Sequence, residues 1–278
     1  MSTMLEEMNR ARKEGYALGA FNFFNYLSAQ AVIEAAEECH KPVILQTSVK
    51  TVKYYGAREL HAMVADLLKN SKVPAFLHLD HCKDVAFAKE CVDAGWDSIM
   101  IDASAHPFEE NIRMTKEASD YAHAHGVFSE GELGVITGVE EDVVADVEKL
   151  ADYDDTVKFA AATGIDFMAP AIGTAHGVYK KTPHLNFELV ERLGKDLPQP
   201  IVCHGGTGLS DDTFRKLISL GIAKVNISTA LKHAYIDGAE KYARETPDDY
   251  EPLHLEQAMF DSVKAVAKHH IEVFANGR

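Results

Sequence analysis

Pro74-Ala-Phe-Leu-His-Leu-Asp-His81 is an apolar run of strand length that ends in polar, titratable side chains. The run predicts a buried strand, with Asp80 and His81 at the point where the strand gives way to a loop. An unpaired carboxylate or imidazole taken out of water costs more free energy than such a strand recovers. The Asp80–His81 pair therefore indicates a metal site or a proton-transfer site.

The same pattern occurs seven more times, with helical segments between the apolar runs. Near-continuous apolar strands that alternate with helices are typical of a parallel sheet buried on both faces. Eight such units predict a closed (β/α)8 barrel, and an open doubly wound sheet is the alternative. The predicted strands are 17–24, 42–48, 75–81, 98–104, 127–133, 167–173, 200–204 and 223–229.

Capping residues and glycines mark the ends of the helices. Asp84 and Ser210 stand where N-caps are expected, and glycines follow several of the helical segments. The predicted helices are residues 1–8, Asp84 to a stop at Gly95, 108–125, 155–163, Ser210 to a stop at Gly221, and 254–274.

Length and composition favour one domain over residues 1–278, because a barrel of this type takes about 250 residues. Hydrophobic residues make up 46% of the chain and no low-complexity segment interrupts them, which favours one large core. The formal net charge of -15, from 28 basic and 43 acidic residues, argues against nucleic-acid or anionic-membrane partners.

The N-terminus lacks the basic start and apolar run of a signal peptide, and no apolar stretch reaches membrane-spanning length. We therefore predict a cytoplasmic enzyme. The four cysteines contain no Cys-x-x-Cys pair, which predicts reduced thiols. Cys82 and Cys203 each follow or precede a histidine of interest, and in an extended strand they point to the opposite face, which favours a packing role.

The residues that end the strands indicate the chemistry, because barrel active sites lie at the C-terminal strand ends. His81, His176 and His204 each close a different strand, and three imidazoles with an open fourth position describe a catalytic zinc site. A lone histidine there is commonly a hydrogen-bonded structural residue. Three at equivalent positions, one next to an aspartate, favour metal binding. The other strand ends supply Asn22, Ser48, Asp102, and Glu130 or Glu132.

Glycines and hydroxyl residues gather at the last three strand ends, where barrels commonly bind phosphate. The segments are 173–177, 204–208 and 226–229, and Lys180 adds a positive charge nearby. Glycine-rich loops are also common as simple tight turns. Their position next to the predicted metal ligands favours phosphate binding.

Six segments of the chain resemble the class II, zinc-dependent ketose-bisphosphate aldolases, the family of fructose- and tagatose-bisphosphate aldolases. They follow in the family's order from about residue 15 to 235. The resemblance implies aldol cleavage or condensation of a ketose 1-phosphate or 1,6-bisphosphate, with dihydroxyacetone phosphate and an aldehyde as products. The segments are Leu77–His81, Ser98–Ser104, Gly131–Gly134, Ala171–Gly177, Cys203–Leu209 and Lys224–Ala230.

By that resemblance each strand end acquires an expected role. Asp80 would be the acid/base for the aldehyde oxygen, and Glu140 would remove the C3 proton, with Glu141 as the alternative. The catalytic Zn²⁺ would be bound by His81, His176 and His204, and a second or alternative metal position would use Asp102 and Glu132. The substrate and its phosphate would be held by Gly177, Lys180, Gly205, Gly206, Thr207, Asn226, Ile227, Ser228 and Thr229, together with Asn22 and Ser48. The family also allows a monovalent cation (Na⁺ or K⁺) nearby and implies a homodimer or homotetramer.

The chain departs from the family near its C-terminus. Many members carry Asp-Pro-Arg there, whose arginine binds the distal phosphate, whereas this chain has Glu251-Pro-Leu-His254. Leu253 cannot pair with a phosphate, and His254 is a weaker, pH-dependent substitute. Either Lys50 or Lys53 supplies the charge, or the aldehyde half carries another group. A shift of alignment in a variable tail is the alternative explanation.

Two other functions use the same residues. A metal-dependent sugar-phosphate isomerase or epimerase would transfer protons without cleaving a carbon–carbon bond. A sugar-phosphate-binding protein without catalysis is the second alternative, and the proton-transfer residues Asp80 and Glu140 argue against it. The sequence leaves the C4 configuration of the sugar open.

Overall fold

The predicted apolar runs form the eight strands of one closed parallel barrel, which confirms the (β/α)8 architecture and excludes the open sheet. The computed structural model describes residues 2–140, 143–145, 149–177 and 183–278, with the backbone alone for 137–140 and 143–145. The strands in these ranges are β1 (Leu18–Asn22), β2 (Val43–Ser48), β3 (Ala75–Cys82), β4 (Ser98–Ile101), β5 (Phe128–Leu133), β6 (Thr137–Glu140), β7 (Val143–Ala145), β8 (Phe167–Pro170), β9 (Ala175–His176), β10 (Ile201–Cys203) and β11 (Ile222–Ile227).

Neighbours around the barrel follow the order β1-β11-β10-β8-β5-β4-β3-β2. The strands β7, β6 and β9 form a separate small sheet, in which Gly138 of β6 pairs with His176 of β9. The loop that follows β5 therefore begins next to one of the predicted metal ligands.

The helices within the described ranges confirm the predicted segments and extend several of them. They are α1 (Met4–Glu14), α2 (Tyr26–Cys39), α3 (Val49–Tyr55), α4 (Ala57–Asn70), α5 (Val85–Asp93), α6 (Phe108–Ala124), α7 (Tyr153–Thr163), α8 (Phe187–Asp196), α9 (Asp211–Ser219), α10 (Thr229–Glu245) and α11 (Pro252–Phe274). None of them combines the length and apolar character that a membrane span requires.

Local chemistry sets the boundaries that differ from the prediction. The first helix begins only after Thr3, whose side chain forms a capping box with Glu6, and it continues to Glu14. The last helix starts at Pro252, because Glu251 caps it and proline is favoured in the first helical turn. Asp84 and Ser210 accept hydrogen bonds from the first-turn N–H groups, as predicted.

The barrel interior changes from apolar to polar along the strands. Side chains at every second position point inward, so β1 contributes Leu18 and Ala20 before Asn22, and β3 contributes Phe76 before His78 and Asp80. Met4 and Met8 of α1 pack against the apolar layer and close the N-terminal end of the barrel. The buried polar side chains are thereby concentrated at the C-terminal end.

A second apolar cluster lies between the barrel and the helices. Cys82 and Cys203 are both buried in it, in agreement with the packing role expected for them. The helices on this layer hold the strand ends in place, and those ends carry the polar residues described next.

Candidate active site

Asp80 is held by three side-chain amides from three other strands. Asn22 and Gln46 donate to its Oδ2 at 3.1 and 3.4 Å, and Asn226 donates to Oδ1 at 3.2 Å. All four side chains are buried. This amide cradle fixes the orientation of Asp80.

His81 is directed into the barrel by a distorted backbone. Strict alternation would send it to the face opposite Asp80, but the β3–β4 register shifts between Leu79 and Cys82, and His81 itself has φ of 46°. A non-glycine residue in this left-handed region is uncommon and costs free energy, and such strain is found preferentially at functional sites. The bulge places the imidazole beside Asp80 in the polar end of the barrel.

His81, His176 and His204 present ring nitrogens that all lie within 4.8 Å of one another. His81 Nε2 is 2.8 Å from His204 Nδ1, whereas nitrogens that share a tetrahedral zinc ion lie about 3.4 Å apart. A small opening of this pair would accommodate the ion. Three imidazoles with an open fourth position match the donor set of a catalytic zinc, so the residues present fit that metal.

A second group shares His81 and adds the carboxylates of Asp102 and Glu132. Asp102 Oδ2 accepts from His81 Nδ1–H at 3.1 Å, which leaves Nε2 for a metal. Glu132 Oε2 is buried without a hydrogen-bond partner among the described residues, 3.9 Å from His81 Nδ1. Burial and the charge of Asp102 hold the pKa of Glu132 well above its usual value. The neutral acid is therefore favoured without a cation, and a cation bound beside Oε2 would stabilise the carboxylate.

His204 is oriented by a fully buried ion pair. Its Nε2–H donates to Glu130 Oε1 at 2.7 Å, and Glu130 Oε2 accepts from Lys224 Nζ at 2.8 Å. Burial alone would raise the pKa of Glu130, but Lys224 and the hydrogen bond to His204 hold it below its usual range. The ionised Glu130 therefore fixes the tautomer of His204 whose unprotonated Nδ1 faces His81 Nε2.

Sequence reasoning did not assign roles to Gln46, Glu130 and Lys224. In the sequence each of them is a polar residue within a predicted strand. The hydrogen bonds that give them a role join different strands, so the sequence does not show them. Lys224 lies 94 positions from Glu130, so barrel closure alone brings them together.

The strand ends opposite β3 contain buried polar atoms without a partner in the described part of the chain. They include Asn226 Oδ1 and Ser228 Oγ. The helix α10 begins at Thr229, directly after Ile227 and Ser228, without a side-chain cap. Uncapped N–H groups and the helix dipole attract anions.

At two of the glycines expected in the phosphate site, the backbone packing leaves no space for a side chain. Gly205 has φ of 67°, and a Cβ there would lie 2.5 Å from the backbone oxygen of Ala175. A Cβ on Gly206 would lie 2.9 Å from the backbone oxygen of Asn226. The close approach holds the loop after β10 against β9, so the tight-turn explanation and the phosphate explanation both apply.

The other residues predicted for the substrate site lie at the rim or outside the described part of the chain. Ser48 caps α3 and accepts from Thr51 N–H, while Gly177 and Thr207 are half-buried at the rim. The backbone of Glu140 ends β6, and its side chain lies outside the described part, as do Lys180 and Glu141.

Comparison with known proteins identifies the family of this chain. A family model described as "Fructose-bisphosphate aldolase class-II" matches residues 2–277. The chain belongs to the class II fructose-bisphosphate aldolase family. Membership makes it an aldolase that acts on a sugar phosphate and uses a divalent metal. This favours carbon–carbon cleavage over the isomerase or epimerase alternative and over non-catalytic binding.

Individual relatives span nearly the whole chain. A sulfofructosephosphate aldolase from Alkalicoccus urumqiensis is 38% identical over 268 residues, which covers 94% of this chain and 92% of the relative. A fructose-bisphosphate aldolase from Geobacillus stearothermophilus is 40% identical over 266 residues, with coverage of 95% and 93%. The crystal structure of the YdjI aldolase from Escherichia coli K12 has a TM-score of 0.87 at 36% identity and covers 99% of this chain and 98% of that one. Proteins named as aldolases thus match nearly the whole length of this chain.

Proposed function

We propose that this aldolase uses Zn²⁺ to cleave a ketose 1-phosphate or 1,6-bisphosphate into dihydroxyacetone phosphate and an aldehyde, and to catalyse the reverse condensation. The aldehyde is glyceraldehyde 3-phosphate or an analogue with another distal group. The names of the Geobacillus and Alkalicoccus relatives, which differ in that group, support both versions.

The observation that carries this proposal is the meeting of three imidazoles with one amide-held carboxylate at the same strand ends. Three histidines alone would suit many zinc enzymes. Asp80 is buried beside them, 4.0 Å from His81 Nε2, and its oxygens are oriented by donors that do not neutralise it. A proton acceptor next to a metal site is what reversible aldol chemistry requires.

In cleavage, Asp80 removes the proton from the C4 hydroxyl as the C3–C4 bond breaks and the aldehyde forms. Glu140 returns a proton to C3, and in condensation both transfers run in reverse. When bound, zinc supplies a Lewis acid that polarises the substrate ketone, in place of the lysine Schiff base used by the other aldolase class. The pairing of β6 with β9 supports Glu140, because its strand begins alongside His176.

Substrate binding falls to the strand ends beyond the metal ligands. The uncapped start of α10 with Ser228 and Thr229 would receive the C1 phosphate, together with the loop of Gly205, Gly206 and Thr207. Asn226 and Ile227 end β11 below this helix, and Gly177 and Lys180 follow β9. Asn22 and Ser48 would contact the substrate from β1 and β2. Asp102 and Glu132 would serve a second metal position, and Na⁺ or K⁺ would bind near the phosphate.

Three further parts of the proposal concern the whole protein. Residues 1–278 act as one barrel domain, the enzyme works in the cytoplasm in carbohydrate metabolism, and it assembles as a homodimer or homotetramer. Sedimentation of the zinc-loaded protein tests the assembly, and a monomer at micromolar concentration would contradict it.

Release of triose phosphate tests the activity. Fructose and tagatose 1-phosphates and 1,6-bisphosphates are incubated with enzyme, and dihydroxyacetone phosphate is measured with a coupled dehydrogenase. A chelator should abolish release and added Zn²⁺ should restore it, whereas K⁺ or Na⁺ should change the rate only while zinc is present. Triose phosphate release that persists after complete metal removal would contradict zinc dependence.

A further inference from the structure

A groove of 570 Å³ opens at the rim of the barrel. Its walls come from the segments that follow three adjacent strands, β2, β1 and β11. All three segments leave the C-terminal strand ends, so the groove lies on the same face as the histidines. We call it the rim groove and define it by Phe24, Lys50, Thr51, Tyr54, Lys232 and Tyr235.

The rim groove lies above strands that carry none of the proposed metal ligands. Those ligands come from β3, from β9 after β8, and from the end of β10, whereas the groove covers the strands between β10 and β3. Ser48 at the end of β2 pairs in register with Asp80 of β3, and Lys50 follows two residues later. Lys50 therefore follows the strand that neighbours Asp80, the residue that would serve the aldehyde half of the substrate.

The lining of the groove combines lysine side chains with aromatic rings. None of the described residues that line it is acidic, although the protein carries a formal charge of -15. The aromatic wall is fixed, since Phe24 and Tyr235 pack edge to face at 5.3 Å and the Asn25 amide donates to the Tyr235 hydroxyl at 2.8 Å. Lys50 is exposed at the opening and pairs with no carboxylate among the described residues. Such a surface suits a small oxyanion on a short carbon chain.

The other residues considered for the distal charge do not line the groove. Lys53, one turn later on α3, lies 5.4 Å over the ring of Phe87. His254 is paired with Asp249 at 2.8 Å, and Leu253 is 68% exposed at the start of α11. Of these four residues, Lys50 alone lines the rim groove.

We propose that the rim groove binds a distal oxyanion on the aldehyde half of the substrate, phosphate or sulfonate, and that Lys50 is the residue that selects it. The proposal rests on the proposed aldolase activity. Lys232 lines the other side of the groove. The chain thus replaces the arginine contact missing at Leu253 with a lysine on a different element.

The test measures a preference rather than a rate. For zinc-loaded enzyme, kcat/KM is determined for a ketose 1-phosphate whose C6 carries phosphate, sulfonate or hydroxyl, each in both C4 configurations. The wild type should prefer one anion over the hydroxyl, and the larger ratio identifies phosphate or sulfonate. Lys50→Met should lower that ratio at least about fivefold, through KM, as expected for loss of one charge-assisted contact. Lys50→Arg should restore it.

Lys53→Met is the matched control, because it removes a lysine from the same helix outside the groove, and its ratio should match the wild type. An unchanged ratio in Lys50→Met, or an equal drop in Lys53→Met, would overturn the groove proposal while leaving the aldolase activity in place. If no ketose 1-phosphate in the panel releases triose phosphate from the wild type, the proposed function itself fails.

Discussion

Glu130→Gln tests how the buried ion pair would control the proposed metal site. The substitution keeps the size and shape of the side chain but removes the charge that faces both His204 and Lys224. The amide offers one acceptor oxygen in place of two, so His204 would lose the charged acceptor that fixes its tautomer, and Lys224 would lose its buried counter-charge. One change therefore affects metal affinity and folding by separate routes.

The structure sets the size of each effect. Loss of a carboxylate that orients a metal-bound histidine typically lowers metal affinity 10- to 100-fold, which is about 1.4 to 2.7 kcal/mol. Removing one partner of a fully buried pair typically costs about 3–5 kcal/mol of stability. Both Glu130 and Lys224 side chains are 0% exposed, so the upper part of that range applies.

Two measurements separate the routes. Zinc affinity is obtained by competition with a chromophoric chelator, and the free energy of unfolding of the metal-free protein is obtained from urea denaturation. Glu7→Gln is the control, because Glu7 is a buried carboxylate of α1 that pairs with Arg10 at the opposite end of the barrel. The control should lose some stability and keep its zinc affinity.

The reasoning is refuted if folded Glu130→Gln binds zinc within twofold of the wild type. In that case the bond between Glu130 and His204 would be structural only. A parallel drop in zinc affinity for Glu7→Gln would equally refute it, since general loosening of the barrel would then explain the result.

Further predictions concern catalysis and the closed end of the barrel. Asp80→Ala should lower kcat by about 10²- to 10⁴-fold while zinc content stays equimolar, because it removes the proton acceptor and no metal ligand; unchanged turnover would exclude the assigned role. Borohydride added with substrate should leave no covalent adduct in the mass spectrum, and a trapped lysine adduct would contradict the metal mechanism. Met8→Ala should lower the free energy of unfolding by about 2–5 kcal/mol, because Met8 is fully buried in the apolar layer. Its zinc affinity should be unchanged, and a change in affinity would show that α1 also influences the metal site.

The sequence by itself determined the barrel and placed three histidines at its C-terminal rim. An apolar run that ends in a polar residue is a local pattern, and its eightfold repetition with intervening helices leaves few arrangements other than closure. The C-terminal ends of parallel strands must then share one rim. His81, His176 and His204 could therefore be placed together before any contact was known.

The tertiary structure alone decided how those residues are oriented. The turn of His81 into the barrel depends on a register shift with β4, and the amide cradle of Asp80 joins β1, β2 and β11. The distinction between Lys50 and Lys53 follows from the rotation of α3 against its neighbours. These features are set by contacts between residues far apart in the chain, and periodicity along one strand or helix carries no information about the partner on another.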